Sequence, residues 1–250
     1  MSDSITYSKD PVISISNLKK SFGNNHVLND FNLKLQQGEN VVVLGKSGSG
    51  KSVLIKCIIG LLKPDSGSIS VYGEEVPELS QEALDLMRVK VGFLFQGNAL
   101  YDSMSVRENL EFPLRRHWNK QSKQTLNELV MEALEHVGLP HTVDMKPGEL
   151  SGGMRKRIAL ARTLILKPSI ILYDEPTTGL DPITAKEISN LLVQLQKEFN
   201  TSSILISHDM NCVKITANRI VLLIDGKCYA EGTYEELKKS NDIYIKQFFD

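Results

Sequence analysis

Three continuous apolar runs are each followed at once by glycine or polar residues. They cover Val41–Gly45, Ile170–Glu175 and Ser203–Ser207. Apolar runs without a polar residue at every second position are typical of parallel strands whose two faces are both covered. The pattern therefore predicts a central parallel sheet that presents its chemically active residues where the strands end.

Alternation of apolar and polar residues marks the first part of the chain instead. The segments VISIS and FNLKL, within Pro11–Leu35, alternate in this way and predict edge-type strands. Much later, Asp225–Gly226 separates two strand-like segments and is typical of a tight hairpin turn. We therefore expect an N-terminal antiparallel β portion beside the central sheet.

Three helix starts carry capping signals. Thr125–Glu128 is interpreted as a T-x-x-E capping box before an amphipathic helix that ends near Gly138–Pro140. Asp181–Pro182 supplies a cap and a first-turn proline for a second amphipathic helix. Ser105–Glu108 has the S-x-x-E spacing of a third helix start.

These elements predict an α/β fold in one domain, residues 11–250, preceded by an N-terminal extension, residues 1–10. Helices predominate from about residue 82, and no strong apolar strand follows Val91–Phe95 before Lys146. We therefore expect an α-helical subdomain, over about residues 82–168, inserted into the α/β core.

Composition mainly excludes some classes of protein. The chain has 250 residues, of which 41% are hydrophobic and 24% charged, with a net charge of −1. The basic clusters, Arg115–Arg116 and Arg155–Arg157, are short, so the broad positive face of a nucleic-acid binder is missing. Cys57, Cys212 and Cys228 lack metal-ligand spacing, which favours a reduced compartment over a disulfide framework.

Membrane association would have to come from another chain. The first ten residues are polar and mixed in charge, unlike a signal peptide. The apolar runs are far shorter than the roughly 20 residues that a membrane span requires. We therefore expect any membrane-spanning part to belong to a separate partner.

The segment GKSGSGKS is a phosphate cradle of the G-x-x-x-x-G-K-[ST] type, between a strand and a helix. Its backbone amides can close around phosphate oxygens, and the start of the following helix attracts anions. A flexible Gly/Ser loop is the alternative. The predicted nucleotide-binding residues are Gly45, Lys46, Ser47, Gly48, Ser49, Gly50, Lys51 and Ser52. This motif makes the predicted fold a P-loop NTPase core.

Two acidic residues follow the second apolar run. Asp174 would bind Mg²⁺ together with the Ser52 hydroxyl, and Glu175 would polarise the attacking water. An acidic helix start before Pro176 is the alternative.

Two further polar residues follow apolar strands. His208 is expected to contact the terminal phosphate, and Gln96 to sense the metal or the water; a surface histidine and an exposed turn are the alternatives. The candidate catalytic residues are thus Lys51, Gln96, Glu175 and His208. The candidate metal ligands are Ser52, Gln96 and Asp174.

A second anion site is predicted at the start of another helix, in LSGGMRKR. Ser151, Gly152 and Gly153 combine a capping hydroxyl with two glycines at a helix start. One nucleotide does not need two such sites from one chain, which favours a dimer with each site serving a different nucleotide. A simple capped turn is the alternative.

Together, in this order and spacing, these motifs resemble the ATP-binding-cassette ATPase family, and the resemblance covers nearly the whole chain. It implies two ATP molecules, each with Mg²⁺, between two subunits in a head-to-tail homodimer. Ser151, Gly152 and Gly153 would then contact the ATP held by the other subunit. Phe22 would stack on adenine, unless it is a core residue, and Asp181 would lie in a loop that crosses the interface. A non-transport ATPase of this family and a regulatory module without turnover are the rival hypotheses.

A narrower resemblance is to the ATPases of Mla-type (Mce-associated) phospholipid transporters of diderm bacteria. It lies in GKSGSGKSVLIKCIIGLLKPDSG, ALYDSMSVRENLEFPLRRH and LSGGMRKRIALARTL. Importers of amino acids and metals share most of these sequence motifs. The resemblance implies an integral-membrane permease, a Mce-domain lipid-binding protein and a small regulatory subunit as partners, at the cytoplasmic face of the inner membrane. Leu100, Tyr101 and Met104 would contact the permease, or else pack in the core.

The last predicted feature is an unusually apolar tail, IYIKQFFD, beginning at Ile243. Docking on its own domain is favoured, and contact with a second subunit or a regulator is the alternative.

Overall fold

The computed structural model describes residues 10–118 and 121–249, so the predicted N-terminal extension lies outside them except for Asp10. The strands in these residues are β1 (Ile13–Phe22), β2 (Asn25–Leu35), β3 (Asn40–Leu44), β4 (Ser66–Val71), β5 (Glu74–Glu75), β6 (Val91–Leu94), β7 (Ile170–Asp174), β8 (Ser202–Ile206), β9 (Arg219–Ile224) and β10 (Lys227–Gly232). The α-helices are α1 (Lys51–Ile58), α2 (Gln81–Lys90), α3 (Val106–His117), α4 (Lys123–His136), α5 (Gly152–Leu164), α6 (Pro182–Phe199), α7 (Met210–Thr216), α8 (Tyr234–Lys238) and α9 (Ile243–Lys246).

The three continuous apolar runs form neighbouring strands of a six-stranded sheet, with the order β10-β9-β3-β8-β7-β6. Its strands are parallel except for β10, which pairs antiparallel with β9. The register places Ile206 of β8 opposite Val43 of β3 on one side and opposite Asp174 of β7 on the other. The residues that follow β3, β7 and β8 therefore emerge side by side.

Both faces of this sheet are covered, which confirms the prediction made from the unbroken apolar runs. In β3, Val41 and Val43 belong to one buried cluster, together with residues of α1 and the N-terminal strands. Val42 and Leu44 belong to a second cluster, which includes residues of α3, α4, α5 and α6. Successive strand residues point to opposite faces, so an apolar residue is needed at every position.

A four-stranded antiparallel sheet, with the order β2-β1-β4-β5, contains the alternating segments. The prediction of edge strands is right for β2 but wrong for β1, which pairs with β2 and β4 at once. In β1, Ile13 and Ile15 are buried. Alternation reports that one face of a sheet is covered, and it carries no information on whether both edges of the strand are paired.

The segment between β6 and β7 contains α3, α4 and α5, which pack on one another. Strand β6 itself belongs to the central sheet, where it runs parallel to β7 from Val91 to Leu94. The boundaries of a helical subdomain over about residues 82–168 stay a prediction.

Two of the three predicted helix caps are confirmed. Ser105 and Glu108 form a reciprocal capping box, and the Asp181 carboxylate accepts hydrogen bonds from the first amides of α6. The interpretation of Thr125 as a cap is wrong. Helix α4 begins earlier, because the Ser122 hydroxyl accepts the backbone N–H of Thr125 at 3.1 Å and so caps an additional turn.

The hairpin and the tail also follow the predictions. Asp225 and Gly226 both have positive φ, at 49° and 74°, as a tight hairpin turn requires. The tail docks on its own chain: Ile245 is buried, and Phe248 and Phe249 pack against the cluster that contains Val42. No helix within residues 10–118 and 121–249 is both long and apolar enough to cross a bilayer.

The revised cap of α4 gives a first testable prediction. Ser122→Ala removes the acceptor for the Thr125 amide and should lower the free energy of unfolding by about 1 kcal/mol. Thr125→Ala, the matched control within the helix, should cost clearly less. Urea denaturation followed by circular dichroism measures both, and a larger loss for Thr125→Ala would restore the original cap assignment.

Candidate functional site

A cavity of about 750 Å³ lies where β3, β7 and β8 end. This follows from the sheet, because the carboxyl ends of parallel strands meet at one edge and the loops beyond them converge. Eleven of the predicted site residues line it: Phe22, Gly45, Lys46, Ser47, Gly48, Gly50, Lys51, Ser52, Gln96, Glu175 and His208.

The loop between β3 and α1 forms one wall of the cavity. Gly50 has a φ of 103°, and a Cβ there would lie 2.8 Å from the carbonyl oxygen of Val27, so only glycine fits without strain. Lys51 Nζ donates hydrogen bonds to the carbonyls of Gly45 at 2.7 Å and Lys46 at 3.0 Å. Burial lowers the pKa of Lys51, against the opposing effect of the nearby carboxylates.

Ser52, which lines the cavity, contacts Asp174, and the pair brings together two candidate oxygen ligands. The Ser52 hydroxyl donates to Asp174 Oδ1 at 3.1 Å. Burial raises the pKa of Asp174, and the neighbouring Glu175 raises it further, so the buried carboxylate is under-compensated by its surroundings. A bound cation would stabilise it.

The donor set fits Mg²⁺. Within the described part of the chain, no three His, Cys, Asp or Glu side chains cluster as a complete metal cage. Mg²⁺ usually takes one or two protein oxygens and completes its shell with water and phosphate oxygens. Gln96, the third predicted ligand, is exposed and lines the same cavity, while its carbonyl accepts a hydrogen bond from Lys156 Nζ.

Glu175 is held in an unfavourable backbone conformation beside the cavity. Its φ is 52°, a left-handed value that costs a residue other than glycine about 1 kcal/mol or more. The backbone N–H of Glu175 donates to the Ile206 carbonyl at 3.0 Å. Its Oε2 accepts a hydrogen bond from Thr178 Oγ1 at 3.2 Å and lies 2.8 Å from His208 Nδ1. The carbonyl of Ile206 in β8 therefore holds the main chain of Glu175, and Thr178 and His208 hold its carboxylate.

The predicted second anion site lies elsewhere in the chain. Ser151 caps α5, with its hydroxyl accepting the Met154 amide at 3.2 Å. Ser151, Gly152 and Gly153 are not among the described residues that line the cavity. Gly153 also has a packing role, since a Cβ there would lie 2.7 Å from the Thr184 methyl group. The capped turn is present, and its role as a site for a second nucleotide stays a prediction.

Several residues that line the cavity were not predicted: Val27, Met210, Gln247 and Phe248. Gln247 and Phe248 belong to the docked tail, and no local signal links the tail to the cradle. Lys156 is a further residue that the prediction does not include, because Arg155–Arg157 is interpreted only as a short basic cluster. A helical period shows that Lys156 shares a face with the apolar Ala159 and Leu160, and this signal was available.

The loop that follows β6, residues 95–105, is here called the Gln96 loop. A second, apolar cavity of about 580 Å³ lies beside it and is lined in part by Leu61, Phe95, Tyr101 and Phe112. The rings of Tyr101 and Phe112 pack at a centroid distance of 5.1 Å. Leu100 packs instead against the cluster that contains Val42, as the core alternative proposed.

Comparison with known proteins agrees with this geometry. A family model described as ABC transporter matches residues 28–178, a span that includes the cradle, Gln96, Ser151 and Glu175. The dimeric structure of the ATP-binding cassette MJ0796 in a post-hydrolysis state, bound to ADP and Pi, is similar with a TM-score of 0.81 and 32% identity. It covers 88% of this chain and 98% of that one.

Three curated relatives differ in the transport that their names describe. The chain is 39% identical to a probable ribonucleotide transport ATP-binding protein, mkl, of Mycobacterium leprae, over 95% of this chain and 68% of that protein. It is 38% identical to the methionine import ATP-binding protein MetN of Campylobacter jejuni, over 95% and 75%. It is also 38% identical to the intermembrane phospholipid transport system ATP-binding protein MlaF of Haemophilus influenzae, over 95% and 89%.

The family match and the similarity to a cassette bound to ADP and phosphate agree on one chemistry. The chain belongs to the ABC transporter family, as an ATPase that binds ATP with Mg²⁺ and couples its hydrolysis to transport.

Proposed function

We propose that this ATPase drives phospholipid transport between the two membranes of a diderm bacterium. The observation that carries the proposal is the similarity to MlaF, which extends over 95% of this chain and 89% of that protein. The similarities to MetN and mkl extend over smaller shares of those proteins, 75% and 68%. Import of an amino acid or a metal is the alternative function.

The proposed assembly is a homodimer at the cytoplasmic face of the inner membrane, bound to an integral-membrane permease. The apolar cavity beside the Gln96 loop supports a permease contact, because Tyr101 and Phe112 expose large aromatic surfaces there. A Mce-domain lipid-binding protein and a small regulatory subunit are further proposed partners. Their support is the resemblance to the Mla-type ATPases.

Within one subunit, the cradle and Lys51 are proposed to hold the phosphates of ATP. The start of α1 has no side-chain cap, which leaves its first backbone amides available to phosphate, and the ammonium of Lys51 adds a positive charge. Ser52, Asp174 and Gln96 would hold Mg²⁺, which neutralises charge that develops on the phosphate oxygens. Phe22, half exposed at the mouth of the cavity, would stack on adenine.

Glu175 is the proposed general base. A water attacks the terminal phosphorus, the bond between that phosphorus and the bridging oxygen breaks, and the proton from the water passes to the carboxylate. With Glu175 ionised, His208 Nδ1 donates to Oε2. To donate to the terminal phosphate as well, His208 would need a second proton, on Nε2, as in the imidazolium. The fixed orientation of Glu175 lowers the cost of placing the base correctly.

The partner subunit is proposed to complete each site. Ser151, Gly152 and Gly153 lie at the amino end of α5, where unpaired amides favour an anion, but away from the cavity of their own chain. In a head-to-tail dimer they would contact the terminal phosphate held by the other subunit. Asp181, at the start of α6, would lie near the same interface.

The role of Glu175 predicts a large loss of rate without loss of binding. Glu175→Gln should reduce the rate of ATP hydrolysis by about 10²–10⁴-fold, or ~3–5 kcal/mol of barrier, because the amide cannot accept the proton. ATP affinity should stay the same. Phosphate-release assays and ATP titration test this, with Glu187→Gln on the exposed face of α6 as the control. Near-normal turnover would reject the assignment.

The composite site predicts complementation between two inactive variants. Lys51→Ala should weaken ATP binding, and Ser151→Ala should slow hydrolysis. Random mixing gives hybrid dimers with one intact site, so activity should return to about one quarter of the wild-type value if the two sites act independently. ATPase assays on the mixture, with each variant alone as control, measure this. Full activity in a fraction shown to be monomeric would contradict the proposal.

The proposed cargo predicts selective stimulation of hydrolysis. The ATPase, purified with its permease and reconstituted in proteoliposomes, should be stimulated by a phospholipid-loaded carrier protein but not by methionine or a ribonucleotide. Steady-state phosphate release measures the response, and Glu175→Gln complexes supply the background. Stimulation by methionine or the ribonucleotide alone would reject phospholipid as the cargo while leaving the ATPase assignment intact.

A further inference from the structure

Two side chains of helix α5 donate hydrogen bonds to backbone carbonyls of the loop that follows β6. Lys156 Nζ donates to the Gln96 carbonyl at 3.1 Å. Six residues later on the same helix, Arg162 donates to the carbonyls of Ala99 at 2.7 Å and Asn98 at 3.0 Å. Two cations of one helix thus donate to three carbonyls within residues 96–99 of this loop.

The loop conformation requires such restraint. Asn98 and Ala99 have φ values of 64° and 52°, in the left-handed region that alanine rarely adopts. The Ala99 amide donates to the Gly97 carbonyl at 2.7 Å, which tightens the turn. A loop with two successive left-handed residues keeps its shape only when its surroundings hold it.

Lys156 is buried and Arg162 is half-buried, at a cost that ordinary packing does not explain. Lys156 is 2% exposed, and burial lowers its pKa to about 8 although the carboxylate of Asp174 favours the charged form. Burial also lowers the pKa of Arg162. An apolar side chain of similar length would fill the same space without this cost. Charged donors to carbonyls form stronger hydrogen bonds than neutral ones, and here they act on one loop.

The other cations of the same cluster bind elsewhere. Arg155 donates to the Leu150 carbonyl at 3.0 Å, and Arg157 pairs with Glu187 at 2.9 Å. The contact with the Gln96 loop is therefore a property of Lys156 and Arg162 and not of basic residues on α5 in general.

We propose that Lys156 and Arg162 are positioning residues that fix the Gln96 loop to helix α5. They keep Gln96 at the cavity that contains Lys51 and Glu175. Because Ser151 caps the same helix, they also make the loop follow any displacement of that end of α5. The anion site offered to the partner subunit is thereby tied to the metal site of its own chain. This inference rests on the proposed role of Gln96 and is independent of the cargo.

Hydrogen exchange tests the restraint directly, without nucleotide. Lys156→Met and Arg162→Met should each raise amide exchange in peptides that cover residues 97–100 by about tenfold, because the loop opens locally more often. Arg157→Met, on the same helix, should leave that exchange unchanged. If Lys156→Met and Arg162→Met both exchange like the wild type, and thermal melting shows that both are folded, the proposal is overturned.

A double-mutant cycle then asks whether Lys156 acts through Gln96. Lys156→Met and Gln96→Ala should each lower kcat with little change in the KM for ATP, and the double variant should be no slower than the slower single variant. Arg157→Met combined with Gln96→Ala should instead be additive.

The two arms separate the inference from the function on which it rests. Additive effects of Lys156→Met and Gln96→Ala would show a merely structural role and overturn the proposal. A wild-type rate for Gln96→Ala alone would remove the proposed role of Gln96 and, with it, the proposed effect on catalysis. Whichever kinetic result is obtained, hydrogen exchange reports whether the Gln96 loop is attached to helix α5.

Discussion

The cost of burying charge organises this molecule. The strands β3, β7 and β8 are covered on both faces, so a charged side chain within them would be desolvated without compensation. Charged groups are therefore placed where these strands end, and parallel strands all end at one edge. Lys51, Asp174, Glu175 and His208 meet there because the interior of the sheet excludes them.

The same constraint sets the electrostatics of the site. Burial lowers the pKa of Lys51 and raises that of Asp174, which means that both charged forms lack the solvation they would have in water. In the proposed site, phosphate groups near Lys51 and a divalent cation near Asp174 would supply the missing compensation. The binding of ATP with Mg²⁺ is therefore favoured by the incomplete compensation of charge in the protein alone.

Most of the central fold and of the nucleotide site could be predicted from the sequence, because both depend on local signals. Apolar runs identify β3, β7 and β8, and a glycine-rich spacing identifies the cradle. The errors arose where structure depends on distant partners. Strand β1 is internal because β4 pairs with its free edge, which alternation within β1 does not encode. Lys156 looks like a surface cation until the loop that it holds is in place, and Phe248 reaches the cavity from the far end of the chain.

The left-handed backbone of Glu175 has a consequence for engineering this protein. Glycine or asparagine would relax that conformation, so substitutions that would destroy the proposed base are also those expected to make the fold more robust. A laboratory evolution scheme that rewards heat resistance alone would therefore accumulate inert variants at this position. Thermal stability and catalytic turnover favour different residues at position 175, and a screen must therefore select for both at once.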